Sequence, residues 1–585
     1  MFYAKRIESG IVSRYFFSSR LLREEANRGP ENHSYVHLSL GEQLSDWHKD
    51  TDHFSRELYG TLLQSSKPFF SPSLKSTSDR QAEVLVGSLI ILIARRIARS
   101  KSQIEKLGDP REFSHLSAKA PQILDLKIPR STAESYKLLQ SPEFSDFIDY
   151  LAFARHFGLP GAICVKMTTR GRQNGPQTLE KRRNVAIWAH LATQKMIAVA
   201  SSRNTISIVS TYLGRWPEVL LSLLLGQTPS LLEVRPVLKM DSGHSTREFV
   251  LEGSDPTKNT AEVILKILMP WSLVEGFEAT LQRAISLGFA RNPRVIFTSN
   301  GFDTDDEFKV HLAKALPRAA YVVGQHGNEF GVSKVKDLCP ELRASDLFLS
   351  WGWGGDEQGV HPFGQIKPAL RVRKPIKVRG VTLFLRDELD LFLLADMHEI
   401  NNRYFRNIEG LCASLNDLQV TTHLRLHTST SLCTRNFLEK AVEKMPFVAI
   451  SGDRPSMRKL LASGMGVVFG YDSTGMLEMG TAGIPFFLFA PDGLGLVRRE
   501  FRANYDSLRC AGLLSEDPAQ AAQLISTWIS ASRVERKTQR EAIQNFTKGI
   551  AHSPKNKLRA LRKILKNADE YVAHTRLKQK VENID

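Results

Sequence analysis

Apolar positions keep a helical period in the first third of this chain and a short-strand rhythm beyond about residue 184. Between Gln81 and Lys106, and again from Thr132 to Phe157 after a Pro-punctuated loop, they recur every three or four residues, which predicts helices. Met1 to about Arg80 holds no sustained period, and the Ser-, Pro- and Lys-rich stretch Ser65–Asp79 reads as a loop. Short β-rich runs begin at Asn184–Trp188 and recur at Thr205–Ser210. The clearest strand–helix–strand unit is Arg294–Thr298, Asp306–Leu316 and Ala320–Gly324, with a third strand at Asp346–Ser350. The segment Gly354–Lys377 contains Pro362, Pro368 and Pro375, ends in a basic run and lacks periodicity, so residues 361–377 are read as a linker. After it, strands at Val381–Leu385, Val420–Leu426, Phe447–Ser451, Gly466–Gly470 and Phe486–Phe489 alternate with helices at Asp387–Leu415, Leu432–Lys444, Ser456–Ser463 and Thr474–Ala482. A helix at Pro518–Ser530 closes the series. Such βαβ repetition with short connections predicts a parallel, doubly wound sheet.

The fold class is therefore α/β, with two Rossmann-like domains facing a cleft, a largely helical N-terminal region and a basic C-terminal helical tail. The expected boundaries are 1–360 for the first domain, 378–552 for the second and 553–585 for the tail. A length of 585 residues agrees with at least two domains, given about 100–200 residues per domain.

Charge changes the picture at one end. Between Arg533 and Lys580 there are 14 Lys/Arg against four acidic residues, so this stretch carries most of the net +17. Arg559, Arg562, Lys563 and Lys566 alternate with Leu558, Leu561, Ile564 and Leu565, as in a basic amphipathic helix on an anionic membrane surface or a solvated terminal helix. The chain shows no recognisable RNA or DNA motif, and its basicity sits at one end, so nucleic acid is not the expected partner. Its longest strongly apolar run, Val84 to Ala94, falls short of the ~20 residues that cross a bilayer. Five scattered cysteines without zinc spacing read as reduced thiols. With no apolar leader before Arg23, the expected location is cytoplasmic, peripheral on the inner face of the cell membrane.

Ligands of a doubly wound sheet bind beyond the carboxyl ends of its strands, where helix N-termini offer free N–H groups. Ser473 and Thr474 occupy such a place, after the strand Gly466–Gly470 and at the start of the helix bearing Glu478. Alone, Asp472 or Ser473 is equally an ordinary helix cap. Glu478, with Gly483 five residues on and Pro485 seven on, resembles the donor-site signature of GT-B glycosyltransferases, which implies that Glu478 holds a nucleotide ribose. Retaining members often carry a second Glu eight residues earlier, where this chain has Gly470, so inversion is expected. Arg425-Leu426-His427 resembles the (K/R)-x-H element of bacterial transferases using CMP-activated acidic sugars or of polyol-phosphate transferases, although the usual Pro after His427 is missing. An Arg and an imidazole there can stabilise a phosphate leaving group.

On the first domain, the loops Thr298–Asp306 and Gly324–Glu329 follow strands. His326, Asp303 and Asp305 are candidates for taking the proton from an attacking hydroxyl, with Asn300, Gln325 and Gly327 beside them on the acceptor side. Asp303-Thr304-Asp305 also spells the D-x-D of metal-dependent transferases, but Asp305 or Asp306 equally caps the next helix, so no metal and no cofactor are expected. Trp351 and Trp353 are read as core lids as readily as sugar platforms.

Together, Thr298-Ser299-Asn300 with Phe302-Asp303, Gly324-Gln325-His326-Gly327 with Phe330-Gly331, Ser345-Asp346 with Ser350-Trp351-Gly352-Trp353, and Ser473 through Glu478 to Ala511-Gly512-Leu513 resemble the leptospiral-type transferases of O-antigen and surface-polysaccharide clusters. The likeness covers roughly residues 290–528. Two departures are the missing apolar strand at the start and Asn328 where a further glycine is common. The resemblance implies transfer of a sugar from a nucleotide-sugar donor, with a slight preference for a CMP-nonulosonate, to a lipid-linked or glycan acceptor. A CDP-dependent polyol-phosphate transferase and a basic nucleic-acid-binding protein are the alternatives.

Overall fold

The computed structural model describes residues 40–568 apart from 105–122, 152–162, 169–195, 230–245, 252–255, 335–338, 371–377, 387–396 and isolated positions or pairs. The strand expected at Asn184–Trp188 lies outside the described residues, as do parts of the linker and of the helix expected from Asp387.

Two long helices open the described chain, α1 (Leu40–Leu74) and α2 (Asp79–Ile104). The loop expected at Ser65–Asp79 is corrected: α1 runs through Pro68 and Pro72 as far as Leu74. Burial explains this, because Leu58, Tyr59, Leu62, Leu63 and Phe70 return at helical spacing and pack with Leu85, Leu89 and Ile93 of α2. Several buried apolar side chains, each contributing ~1.5–3 kcal/mol, outweigh the ~3 kcal/mol cost of each of the two interior prolines. The region is not purely helical. A three-stranded sheet of β1 (Ile123–Lys127), β2 (Ile163–Thr168) and β4 (Thr246–Leu251), which follows β3 (Ile206–Val209) in the chain, joins it, with β2 in the middle. The helix expected from Thr132 to Phe157 is a described element over Thr132–Leu139.

The first domain's sheet is five-stranded, parallel and ordered as in the chain: β3 (Ile206–Val209), β5 (Val295–Thr298), β6 (Ala320–Gly324), β7 (Leu347–Ser350) and β8 (Val360–Pro362). Its central strands are apolar throughout because both faces are covered. Ile296, Tyr321 and Val323 face a cluster holding Phe308 and Leu312 of helix α4 (Asp306–Ala315). Val295, Phe297 and Val322 face another cluster, which includes Leu221 of helix α3 (Arg215–Leu224).

The second domain has six parallel strands: β9 (Gly380–Phe384), β10 (Thr422–Arg425), β11 (Val448–Ile450), β12 (Met465–Phe469), β13 (Phe487–Phe489) and β14 (Leu514–Ser515). Their spatial order is β11-β10-β9-β12-β13-β14. Counted within the domain this is 3-2-1-4-5-6, the order of nucleotide-binding doubly wound sheets. Helices α5 (Met397–Asp417), α6 (Thr474–Thr481), α7 (Arg502–Cys510), α8 (Pro518–Ser530) and α9 (Arg533–Thr547), together with those at Leu432–Val442 and Met457–Ala462, complete it. Two parallel α/β sheets meeting across a seam are the expected GT-B architecture.

The seam is tied by backbone. Ser333 bridges Val497, Arg498 N donates to Val332 O at 2.9 Å, and His552 N donates to Trp351 O at 2.9 Å. The chain then crosses back to the first domain as helix α10 (Lys557–Lys566). Leu561, Ile564 and Leu565 are buried there against Val295, Phe297 and Leu349. The apolar stripe, read from sequence as part of either a membrane-surface helix or a solvated terminal one, therefore belongs to the first domain's core. Arg559, Arg562, Lys563 and Lys566 remain exposed. Among the described residues no helix is long and apolar enough to cross a membrane.

Candidate functional site

Strand order fixes where a ligand can enter the second domain. After β9 the chain first builds toward β10 and β11, then returns past β9 to add β12, so the crevice opens between the carboxyl ends of β9 and β12. Just beyond β12 come Gly470, Tyr471, Asp472 and Ser473, and just beyond β9 comes Arg386.

Ser473 is the N-cap of α6, its hydroxyl accepting from Gly475 N at 3.2 Å. Gly483, with φ of 66°, follows the helix's last residues in the left-handed conformation, and Ile484 N returns to Met479 O at 3.0 Å. The Glu/Gly/Pro spacing is thus one helix with its C-cap, followed by Pro485 and β13. Arg386, only 3% exposed, stacks on Tyr404 with its guanidinium carbon 3.8 Å from the ring centre and pairs with Asp492 beyond β13. Burial pushes the Asp492 carboxyl up, and the Arg386 charge opposes it. Gly470 is required by packing, since a Cβ there would lie 2.7 Å from the Tyr404 hydroxyl and 3.2 Å from Phe384 O.

Arg425 and His427 lie one strand along, beyond β10. The Arg425 guanidinium sits 4.7 Å from the Phe384 ring centre and donates to Pro455 O at 2.6 Å. Burial lowers its pKa, and so does the neighbouring Arg454. This pair of cations marks the edge as electropositive, next to but apart from the α6 N-terminus.

On the first domain, His326 stands among aromatic rings, with centroids at 4.9 Å for Phe330, 5.3 Å for Phe302 and 6.1 Å for Tyr212. Asp303 accepts from the Tyr136 hydroxyl at 3.1 Å, and that hydroxyl's pKa is driven well above its ordinary value by burial and then by the Asp303 charge. Asp305 caps α4 through Phe308 N at 3.0 Å, while Asp306 accepts from Thr132 and from Ser272 in the interior. Asn300 is exposed. Gln325 is a buried staple: Oε1 accepts from Trp351 N and Trp353 Nε1, both at 2.8 Å, and Nε2 donates to Gly327 O at 2.7 Å. Both tryptophans are buried.

The two halves touch at this point. Asn328 N donates to Thr474 Oγ1 at 3.0 Å and Asn328 Nδ2 to Asp472 Oδ1 at 2.5 Å, while the Tyr505 hydroxyl of α7 donates to Asp472 Oδ2 at 2.6 Å. A Cβ on Gly327 would come within 3.1 Å of Thr474 Oγ1. Burial raises Asp472 to about 6 against the lowering effect of Tyr505 and Asn328. Lys367, just beyond β8, pairs with Glu478 at 2.7 Å and lies 4.7 Å from the Tyr212 ring centre. The structure therefore brings Ser473, Thr474 and Glu478 up to the loop of His326 and Gly327. Sequence reading missed Tyr212, Lys367, Arg386 and Tyr505. Strand-end position alone could have flagged Arg386, but nothing local marks the others. Among the described residues no three His, Cys, Asp or Glu side chains are grouped to hold a metal.

Solved structures similar to this chain include the S. aureus MnaA–UDP co-structure, 10% identical over 51% of this chain and 82% of that one with a TM-score of 0.34. CalG4, the calicheamicin glycosyltransferase, is 11% identical over 51% and 80%, with a TM-score of 0.29. A mutant Thermobaculum terrenum O-GlcNAc transferase is 12% identical over 91% and 99%, with a TM-score of 0.30. No curated protein matches the sequence. The profile of the LIC12162 family transferases matches residues 160–565, well over half of the chain, and the protein belongs to that family.

Proposed function

We propose that this transferase moves a sugar from a nucleotide-sugar donor to a surface-polysaccharide or O-antigen acceptor, with inversion and without a metal. The observation that carries the reading is the α6 N-terminus at the switch point of a 3-2-1-4-5-6 sheet, directly opposite the His326 loop. The positive end of α6, with Thr474 and the buried Arg386, is suited to the donor phosphates. Arg425 and His427 extend that positive edge, and Glu478 is placed for the ribose once Lys367 releases it. His326 takes the proton from the acceptor hydroxyl as the new glycosidic bond forms and the bond to phosphate breaks, with Asp303 the other candidate for that proton. Phosphate leaves with the electron pair, its charge held by Arg386, Arg425 and the helix end. A CMP-linked nonulosonate is the donor that best matches the Arg425/His427 and Ser473/Thr474 pairing.

The test is a melting-temperature screen against CMP, CDP, UDP, GDP and their sugars. At least one nucleotide raises the melting temperature of the wild type, and Ser473→Ala with Thr474→Ala removes most of that rise. An equal response in the double variant refutes the donor site.

A further inference from the structure

Helix α3 exposes large apolar side chains along one face: Trp216 is 76% exposed, Leu220 48% and Leu223 58%. These positions are i, i+4 and i+7, a continuous stripe, while Leu221 and Ser222 on the opposite side are buried. A protruding apolar stripe on a soluble surface marks an interaction site. Its neighbour supplies the chemistry. Helix α10 packs against α3 through Leu561, Ile564 and Leu565, and Arg562 Nε donates to Leu224 O at 2.7 Å at the stripe's end. The outer side of α10 carries Arg559, Arg562, Lys563 and Lys566, all exposed.

We propose that α3 and α10 together form the surface on which this enzyme docks to an anionic lipid bilayer, with Trp216, Leu220 and Leu223 entering the headgroup layer. Neither helix suffices alone: the apolar side of α10 is buried, and α3 lacks the cationic row. A tryptophan at the rim of an apolar stripe suits the bilayer interface, and a flanking row of Lys/Arg draws the surface to anionic headgroups. The location gives the surface a purpose. Trp216 is four residues beyond Tyr212, whose ring lies against Lys367 and His326, so the stripe starts at the cleft rim. Resting on the reading of the cleft as the transfer site, this placement commits the acceptor to one carried on a lipid.

The full chain is sedimented with phosphatidylcholine vesicles and with vesicles carrying roughly 30% phosphatidylglycerol. The wild type binds the anionic vesicles, less as salt rises, and binds neutral ones weakly. Trp216→Ala with Leu220→Ala, and separately Arg559→Glu with Lys563→Glu, each lower the partition coefficient by roughly tenfold, while both variants keep the wild-type melting response to CMP, CDP, UDP and GDP. A wild type that ignores anionic vesicles, or variants that bind them as well as wild type, overturns the proposal. So does a dimer in light scattering that Trp216→Ala with Leu220→Ala dissolves, which puts a second copy on the stripe, or binding confined to random RNA. Vesicle binding by a protein that answers to no nucleotide leaves the docking surface standing and removes the donor-site reading instead.

Discussion

Asp472 is the residue where the site's electrostatics are most sharply set. Its carboxylate is desolvated and holds Tyr505 on one oxygen and Asn328 on the other, with a folded pKa of about 6 against an ordinary 3.8. Between those values the folded protein keeps a proton that the unfolded chain has lost, so this group's contribution to stability declines as pH rises through the window and is constant above it. Asp472→Asn removes that dependence. The wild-type melting temperature, taken relative to Asp472→Asn, should fall from about pH 4 to about pH 6.5 and then level off, and a difference flat across the window would refute the assignment. A second residue explains a missing one. The glutamate absent at position 470 has no room, since even a methyl there meets the Tyr404 hydroxyl that Arg386 N also contacts. Gly470→Ala is expected to lose about 1–3 kcal/mol in urea titration, with the switch-point crevice, rather than any remote element, disturbed.

Helix α10 shows how an element can be legible in pattern and misread in partner. Its alternation of leucine and arginine announces an amphipathic helix, but the partner of the apolar side is set by tertiary placement, here the first sheet. Leu561→Ala should therefore cost ~2–5 kcal/mol in the purified protein without lipid, whereas a helix waiting for a membrane would lose almost nothing. The second domain was readable almost strand by strand because each strand is a short apolar run covered on both faces and each connection is brief. Helix α1 was not, because prolines and serines mask a buried stripe whose meaning depends on α2. The site divides in the same way. Ser473, Thr474 and Glu478 lie on one helix, so spacing could find them, but Asn328–Asp472 and Lys367–Glu478 join residues 144 and 111 positions apart. No local rule reaches across such distances.

At the scale of the molecule, two kinds of contact hold the domains together. Deep in the seam, backbone bonds at 332–334 with 496–498 and at 351–352 with 551–552 make a fixed joint. At the cleft mouth every tie involves a side chain: the Asn328 backbone N–H to the Thr474 hydroxyl, Asn328 Nδ2 to Asp472, and the part-exposed Lys367–Glu478 pair. Such an ion pair is worth at most about 1 kcal/mol, so the mouth opens far more easily than the joint breaks. These ties occupy the groups assigned to donor phosphate and ribose, so closure without donor and donor binding compete for Thr474 and Glu478. Removing the first-domain partners should favour the open, receptive state. Asn328→Ala with Lys367→Met, which removes the bonds to Asp472 and Glu478 and leaves only the backbone bond to Thr474, is expected to increase the radius of gyration in small-angle scattering without nucleotide. The same change should tighten binding of the stabilising nucleotide by about threefold to tenfold, the population shift available from two contacts of this strength. Unchanged scattering with unchanged affinity would mean that the mouth contacts do not hold the cleft shut. Weaker binding with unchanged scattering would make Lys367 or Asn328 a direct donor ligand.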